Sequence, residues 1–463
     1  MFFPLLLLAI GNAYTQPLAK KLAIAVQQLE ADSQMHHAIV GLSVYDDKTG
    51  KLIYEHNAGL GLAPASTQKL FTSCAAFDLL GKDYKYTTEI EYNYVRNNTA
   101  MGYLLIKSSG DPSFGSQRFV STKPDLLLSN ITMNLLQNGI RTVSLKYEGI
   151  DHIDDNIPNG WIWEDIGNYY GAGAHGFNWM ENQYDIILQS GTKIGDTVSI
   201  ADVKPPEAKE LIAGHLVSAE KGSGDNTIVY LPYGDDVALI TGTIPVNETA
   251  FTVSAAVSYP FKIFSRQMAG KLKKANIRIE DMYIRHQVAF PLIPDSMIQS
   301  VVLLKHISPP FDSLNYWFLK KSINLYGEAF IKTMAFEKLG FGSTEKGVAL
   351  LKDFWSQHGI EKSALHICDG SGLSPQNRIT ANALVKVLQY AKTRPWFSSF
   401  YYALPEYNGM KMKSGSIGGA RAYAGYHASG NGNEYSFAII VNNYDGASSA
   451  VVKKMYRLLD NLK

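Results

Sequence analysis

The sequence has almost no cysteine. Cys74 and Cys368 are the only two in 463 residues and stand far apart. At most one disulfide is open to the chain in an oxidising compartment. Cys74 lies in an apolar helical pattern, and the pair reads as two buried free thiols. Neither follows the N-terminus closely enough to carry a lipid anchor. An excess of either charge is also missing. Lys and Arg number 43 against 42 Asp and Glu, a net charge of +1. That excludes a global field that would draw the protein to nucleic acid, so a partner must be recognised by local geometry. Beyond the N-terminus no run reaches ~18 apolar residues, and no later segment reads as membrane-spanning. The eleven His residues contain no His-Glu-x-x-His, and no Gly-x-Ser-x-Gly elbow occurs. Asp151-His152-Ile153-Asp154-Asp155 has the residue types of a metal cluster, but its spacing fits no site and it reads as a solvated turn. Asp369-Gly370-Ser371-Gly372 lacks the Gly-Lys-Ser/Thr of a phosphate loop and reads as a structural turn. No metal and no cofactor are expected.

Phe2–Ile10 is an apolar run followed by Gly11-Asn12-Ala13. It reads as an export signal over 1–16, although it lacks a basic start. Leu18, Leu22, Ala25 and Leu29 then share one helical face. Strands are expected near Ala38–Tyr45 and Lys51–His56, with Asp46-Asp47-Lys48-Thr49-Gly50 as the turn. A helix is expected from Ser66 to Leu80, closed by Gly81. The C-terminal end mirrors this, with strands over Lys411–Ile417, Ala422–Ser429 and Tyr435–Asn442 and a last helix carrying Val452, Met455, Leu459 and Leu462. Both ends therefore predict one antiparallel sheet, assembled from the two halves and covered by helices on both sides. The text between reads as a mostly β insertion of 85–287, with one helical stretch near Asp125–Gln137.

Ser66-Thr67-Gln68-Lys69 puts a hydroxyl and an amine three residues apart on one helical face. A neutral Lys there can take the serine proton, and burial or a neighbouring cation lowers a lysine pKa enough for that. The same spacing occurs at Ser190, Ser218 and Ser343, so the pattern alone is weak, and a plain helix cap is the bland alternative. Only Ser66 follows a Gly/Pro loop and opens a long apolar helix. Ser322-Ile323-Asn324 offers a second hydroxyl and an amide. Lys413-Ser414-Gly415-Ser416 offers a cation, hydroxyls and a Gly that admits a backbone.

Taken in order, Ser-x-x-Lys, Ser-x-Asn and Lys-Ser-Gly form a set that resembles the penicillin-binding proteins and serine β-lactamases. The 256 residues from Ser66 to Ser322 resemble the D-Ala-D-Ala carboxypeptidases with a large insertion, the low-molecular-mass class C penicillin-binding proteins. Ser109-Gly110-Asp111-Pro112, Trp161-Ile162-Trp163-Glu164-Asp165, Asp369-Gly370-Ser371-Gly372-Leu373-Ser374 and Ala424-Gly425-Tyr426 extend the likeness over nearly the whole chain. Ser414 stands where the family usually has Thr. The resemblance implies an α+β fold, a penicillin-binding domain of 17–84 and 288–463 interrupted by the insertion. It implies an exported, periplasmic or extracytoplasmic enzyme that trims peptidoglycan stem peptides and is inhibited by β-lactam antibiotics. By role, Ser66 is the nucleophile, Lys69 its base and Ser322 a proton relay. Asn324 would hold substrate and Lys69. Lys413 would supply positive charge and, with Ser414, bind the terminal carboxylate. The N–H groups of Ser66 and Ser416 would form the oxyanion hole. Asp165 and Tyr170 would meet the free end of the diaminopimelate side chain. A β-lactamase or esterase of the same fold, or a non-catalytic β-lactam sensor, are the alternatives.

Overall fold

The computed structural model describes residues 15–95, 98–149, 156–232, 237–283 and 298–463. The expected signal segment, the Asp151–Asp155 cluster and the expected boundary at 287 lie outside them. The chain packs as two compact units. One holds the chain up to Lys82, Asn315–Ile323 and Thr344–Lys463. The other holds Asp83–Leu314 and Asn324–Ser343.

The first unit is built on one antiparallel six-stranded sheet, in the order Glu406–Tyr407, Met410–Ile417, Ala420–Ala428, Glu434–Asn442, Ile39–Asp46 and Leu52–His56. Chain ends meet where Val40 pairs with Val441 and Leu42 with Ile439. Strand alternation sorts the side chains between the two faces. Val40, Leu42 and Val44, with Phe437, Ile439 and Val441, share a core with Leu22 and Val26 of helix Thr15–Glu30 and with Val451 and Met455 of helix Ser448–Leu459. Helix Ala381–Lys392 packs against the central strands. Its start is fixed by Thr380, whose hydroxyl accepts from Ala383 N at 3.1 Å. Next to it runs helix Lys69–Leu79, buried along nearly its whole length. Leu70 and Phe71 are fully buried, and each such side chain contributes about 1.5–3 kcal/mol. The expected sheet with helices on both sides is present.

The second unit is longer than the 85–287 segment read from composition. Strand Ile298–Ile307 pairs antiparallel with Thr87–Val95 and so belongs to it. Two sheets carry this unit. A mixed five-stranded sheet includes the parallel pair Asn98–Ser108 and Thr142–Gly149, joined through helix Pro124–Gln137. The other sheet has six strands, from Phe251–Ala256 to Asn226–Tyr230. A second helix, Pro260–Lys274, was not expected. Its Pro start is a helix signal, but Pro260-Phe261 also continues the strand-like text before it. Phe114, Phe177, Trp179 and Phe264 make the aromatic centre of the core. Asp111, fully buried, turns the chain by accepting from Ser113 N at 2.8 Å and Ser113 Oγ at 2.6 Å. Burial outweighs those bonds and raises its carboxyl to about 6.

Candidate active site

Ser66 sits in a tight 3-10 turn, Ala65–Gln68, and the α-helix begins only at Lys69. The regular helix expected from Ser66 is therefore corrected at its first turn. Crowding explains it. Ala65 takes a left-handed conformation, φ 45°, and is fully buried, a strained state held by its surroundings. Two glycines press on this turn. A Cβ on Gly415 would lie 2.4 Å from the Pro64 carbonyl, and one on Gly372 would lie 2.1 Å from the Ala65 carbonyl. The space that Gly415 leaves open is thus taken by the chain's own backbone rather than by substrate.

Lys69 is fully buried and donates from Nζ to Ser66 Oγ at 2.9 Å and to the Ser371 carbonyl at 2.7 Å. Its amine also lies 5.8 Å from the centre of the Phe318 ring. The loop that supplies Ser371 is wound around Asp369. That carboxylate accepts from Gly372 N and Ser374 N, both at 2.7 Å, and from Gln68 Nε2 at 2.9 Å. The turn read as merely structural therefore aims a carbonyl at the amine. Ser371 and Phe318 were missed in the sequence, where a backbone acceptor and a phenyl ring leave no motif.

Lys413, also buried, donates to Ser322 Oγ at 3.0 Å and to the Ser414 carbonyl at 2.8 Å. Ser322 follows helix Phe311–Lys320 with φ 59°, a turn that carries its hydroxyl to the amine. Burial first, and then the charge of Lys69, push the Lys413 amine well below the usual lysine range. The pair resists a second proton, whichever amine holds the first. Ser66, Lys69, Ser322 and Lys413 all belong to the first unit. Ser414 Oγ donates to Tyr407 OH at 3.4 Å. Ser416 is exposed and accepts at Oγ from Arg421, the residue directly opposite it on the next strand.

Asn324, Asp165 and Tyr170 belong to the second unit. Asn324 is buried at the start of helix Asn324–Leu339 and donates from Nδ2 to the Tyr170 carbonyl at 2.7 Å. Asp165 lies in the short helix Trp163–Ile166, and Tyr170 in the turn Tyr169–Gly171. Here too glycine sets the winding, since a Cβ on Gly171 would lie 2.0 Å from the Asp165 carbonyl. Partial burial raises the Asp165 carboxyl above its ordinary value, although the Tyr170 hydroxyl acts to lower it. Among the described residues no group of three or more His, Cys, Asp or Glu could hold a metal. No described helix is long and apolar enough to cross a membrane.

Comparison with known proteins bears on the family and the fold. A model of the D-Ala-D-Ala carboxypeptidase 3 (S13) family matches residues 22–462. A D-alanyl-D-alanine carboxypeptidase of Actinomadura sp. (strain R39) is 24% identical, covering 97% of this chain and 87% of its own. The D-alanyl-D-alanine carboxypeptidase DacB of Haemophilus influenzae is 23% identical, covering 88% and 85%. The crystal structure of penicillin binding protein 4 (dacB) from Haemophilus influenzae superposes with a TM-score of 0.77 at 21% identity, covering 97% of this chain and 99% of the other. That likeness establishes an α+β penicillin-binding fold.

Proposed function

As a member of the D-Ala-D-Ala carboxypeptidase 3 (S13) family, a serine-type carboxypeptidase, the chain has a reaction to perform, and we propose that it does so through an acyl-enzyme on Ser66, on the stem peptides of peptidoglycan. The observation that carries this reading is the buried Lys69 amine 2.9 Å from Ser66 Oγ. A serine hydroxyl is a weak nucleophile until a base within hydrogen-bond reach removes its proton. Unprotonated, Lys69 accepts that proton as Oγ adds to the carbonyl of the penultimate D-Ala. The oxyanion then rests on the N–H groups of Ser66 and Ser416. Ser322, joined to Lys413 at 3.0 Å, passes a proton to the departing amine, and D-Ala leaves. Asn324 is assigned the substrate amide. Lys413 and Ser414 meet the terminal carboxylate. Water adds to the ester, and Ser66 recovers its proton. Crosslinked peptide presents the same acyl-D-Ala bond, so endopeptidase action uses the same residues. A β-lactam amide mimics that bond and would acylate Ser66. Such substrates lie outside the cytoplasmic membrane, and the apolar Phe2–Ile10 run supports export. Steady-state assays test the reading. The protein should release D-Ala from a pentapeptide muropeptide and hydrolyse penicillin only slowly. Rapid penicillin turnover without D-Ala release would make it a β-lactamase.

Asp165 is assigned the selection of a cationic side chain. A net-neutral protein needs a local anion for that, and a partly desolvated charge pair is worth about 5- to 150-fold. Asp165→Ala should lower kcat/KM by that range on peptides with a free diaminopimelate amine, and should leave a simple acetylated D-Ala-D-Ala peptide unchanged. The pH dependence has a definite sign. Selection needs the carboxylate, so it is present above the Asp165 pKa and lost as pH falls through it. Because burial raises that pKa, the loss begins at a higher pH than for an ordinary aspartate. Equal losses on both peptides would make Asp165 structural.

A further inference from the structure

Arg421 stands out among the half-buried arginines of the described residues. Arg118, Arg266 and Arg394 each meet a carboxylate, of Glu181, Glu210 and Asp78. Arg421 is half-buried, yet among the described residues it pairs with no carboxylate. Its guanidinium donates from Nε to Ser448 Oγ and from one terminal nitrogen to Ser416 Oγ and, at 3.3 Å, to the Ala420 carbonyl. All three acceptors are neutral. Among the described residues the other terminal nitrogen has no protein acceptor. A cation removed from part of its water and given only neutral oxygens is under-compensated.

Its position supplies the reason. Ser416 and Arg421 are register partners on adjacent antiparallel strands, as are Ser414 and Tyr423. Side chains on one strand alternate between faces, so Ser414, Ser416 and Arg421 share one face, while Lys413 and Gly415 share the other. Among the described residues the only strand beyond Met410–Ile417 is the two-residue Glu406–Tyr407, paired at Lys411 and Met410. Met412 N donates to the Pro405 carbonyl at 3.0 Å, and beyond Met412 the edge is open to a substrate backbone. A peptide laid there would present its C-terminus beside Ser414 and Ser416, the hydroxyls of the face that carries the guanidinium.

From this arrangement we infer that Arg421 binds the terminal carboxylate of the substrate, using the fork of its guanidinium, with Ser416 and Ser448 as the hydroxyls that hold it in place. The inference rests on the reading of Ser66 as the acylated residue and adds a cation that the three sequence motifs do not contain. Need for it is independent of position. Lys413 offers the carboxylate a single amine that is buried and already donates to Ser322 and the Ser414 carbonyl, which leaves room for a second cation. A guanidinium keeps its charge under all conditions the protein meets and matches a carboxylate bidentately.

Full-chain Arg421→Ala and Arg421→Lys proteins would be assayed on two substrates. One is an acylated D-Ala-D-Ala peptide with a free terminal carboxylate. The other is the matching acyl-D-Ala thioester, whose leaving group carries no carboxylate. Arg421→Ala should lose about 100-fold in kcat/KM on the peptide, mostly through KM, and less than about threefold on the thioester. Arg421→Lys should recover part of the loss, as a point charge without the fork. Retained thioester turnover shows that the variant is folded. Similar losses on both substrates, or no loss on either, would overturn the carboxylate role while leaving the Ser66 reading intact. Wild-type protein that turns over neither substrate would overturn both.

Discussion

Replacing Ser66 with Ala should lower D-Ala release by about 10⁶-fold, the largest loss of any single change to this chain. The estimate follows from removing the atom that forms the covalent intermediate, which in serine hydrolases costs about as much as removing the whole catalytic set. Folding should be unaffected. Ser66 is only partly buried, and its hydroxyl's bond is to Lys69, whose amine keeps the Ser371 carbonyl. Thermal unfolding should therefore move little while turnover disappears. Retention of even a hundredth of the wild-type rate would place the nucleophile elsewhere.

Lys69 carries the second large effect. Loss of a base coupled to the nucleophile typically costs 10⁴-fold or more, and Lys69→Ala should slow acylation of Ser66 by that factor. Because Lys69 is fully buried, Ala would also leave a cavity. Lys69→Met separates the two consequences, since it retains most of the side-chain volume. The rate loss should be the same in both variants, with the stability loss much smaller in Met. If Met acylated like wild type, the amine would have a packing role only. Removing Lys69 also removes the neighbouring charge that helps depress the Lys413 amine, leaving burial alone to hold it down.

What the sequence reveals and what it hides divide along physical lines. Alternation is local, and the strands expected at Lys411–Ile417 and Tyr435–Asn442 are found within a residue or so. The pairing of Ile39–Asp46 with Glu434–Asn442 follows from apolar strands at both chain ends that need a common sheet. Ser66, Lys69, Ser322 and Lys413 were legible because their order and chemistry are unusual together, and the fold brings each serine to its lysine at about hydrogen-bond distance. Features set by long-range crowding were not legible. Ala65 is forced left-handed by segments about 300 residues away in Gly372 and roughly 350 away in Gly415. Gly415 looked like an opening for substrate, although its neighbour is the Pro64 carbonyl. Arg421 escaped because one arginine in a strand means nothing until its register partner, Ser416, is known. Helix Pro260–Lys274 was hidden by its strand-like lead-in.

The most direct measurement is mass spectrometry of the intact protein after brief exposure to penicillin, followed by peptide mapping. One adduct with the mass of the whole antibiotic should form, on the peptide that contains Ser66, and the Ser66→Ala protein should show none. An adduct on any other serine, or unmodified protein that still releases D-Ala, would contradict acyl-enzyme chemistry at Ser66.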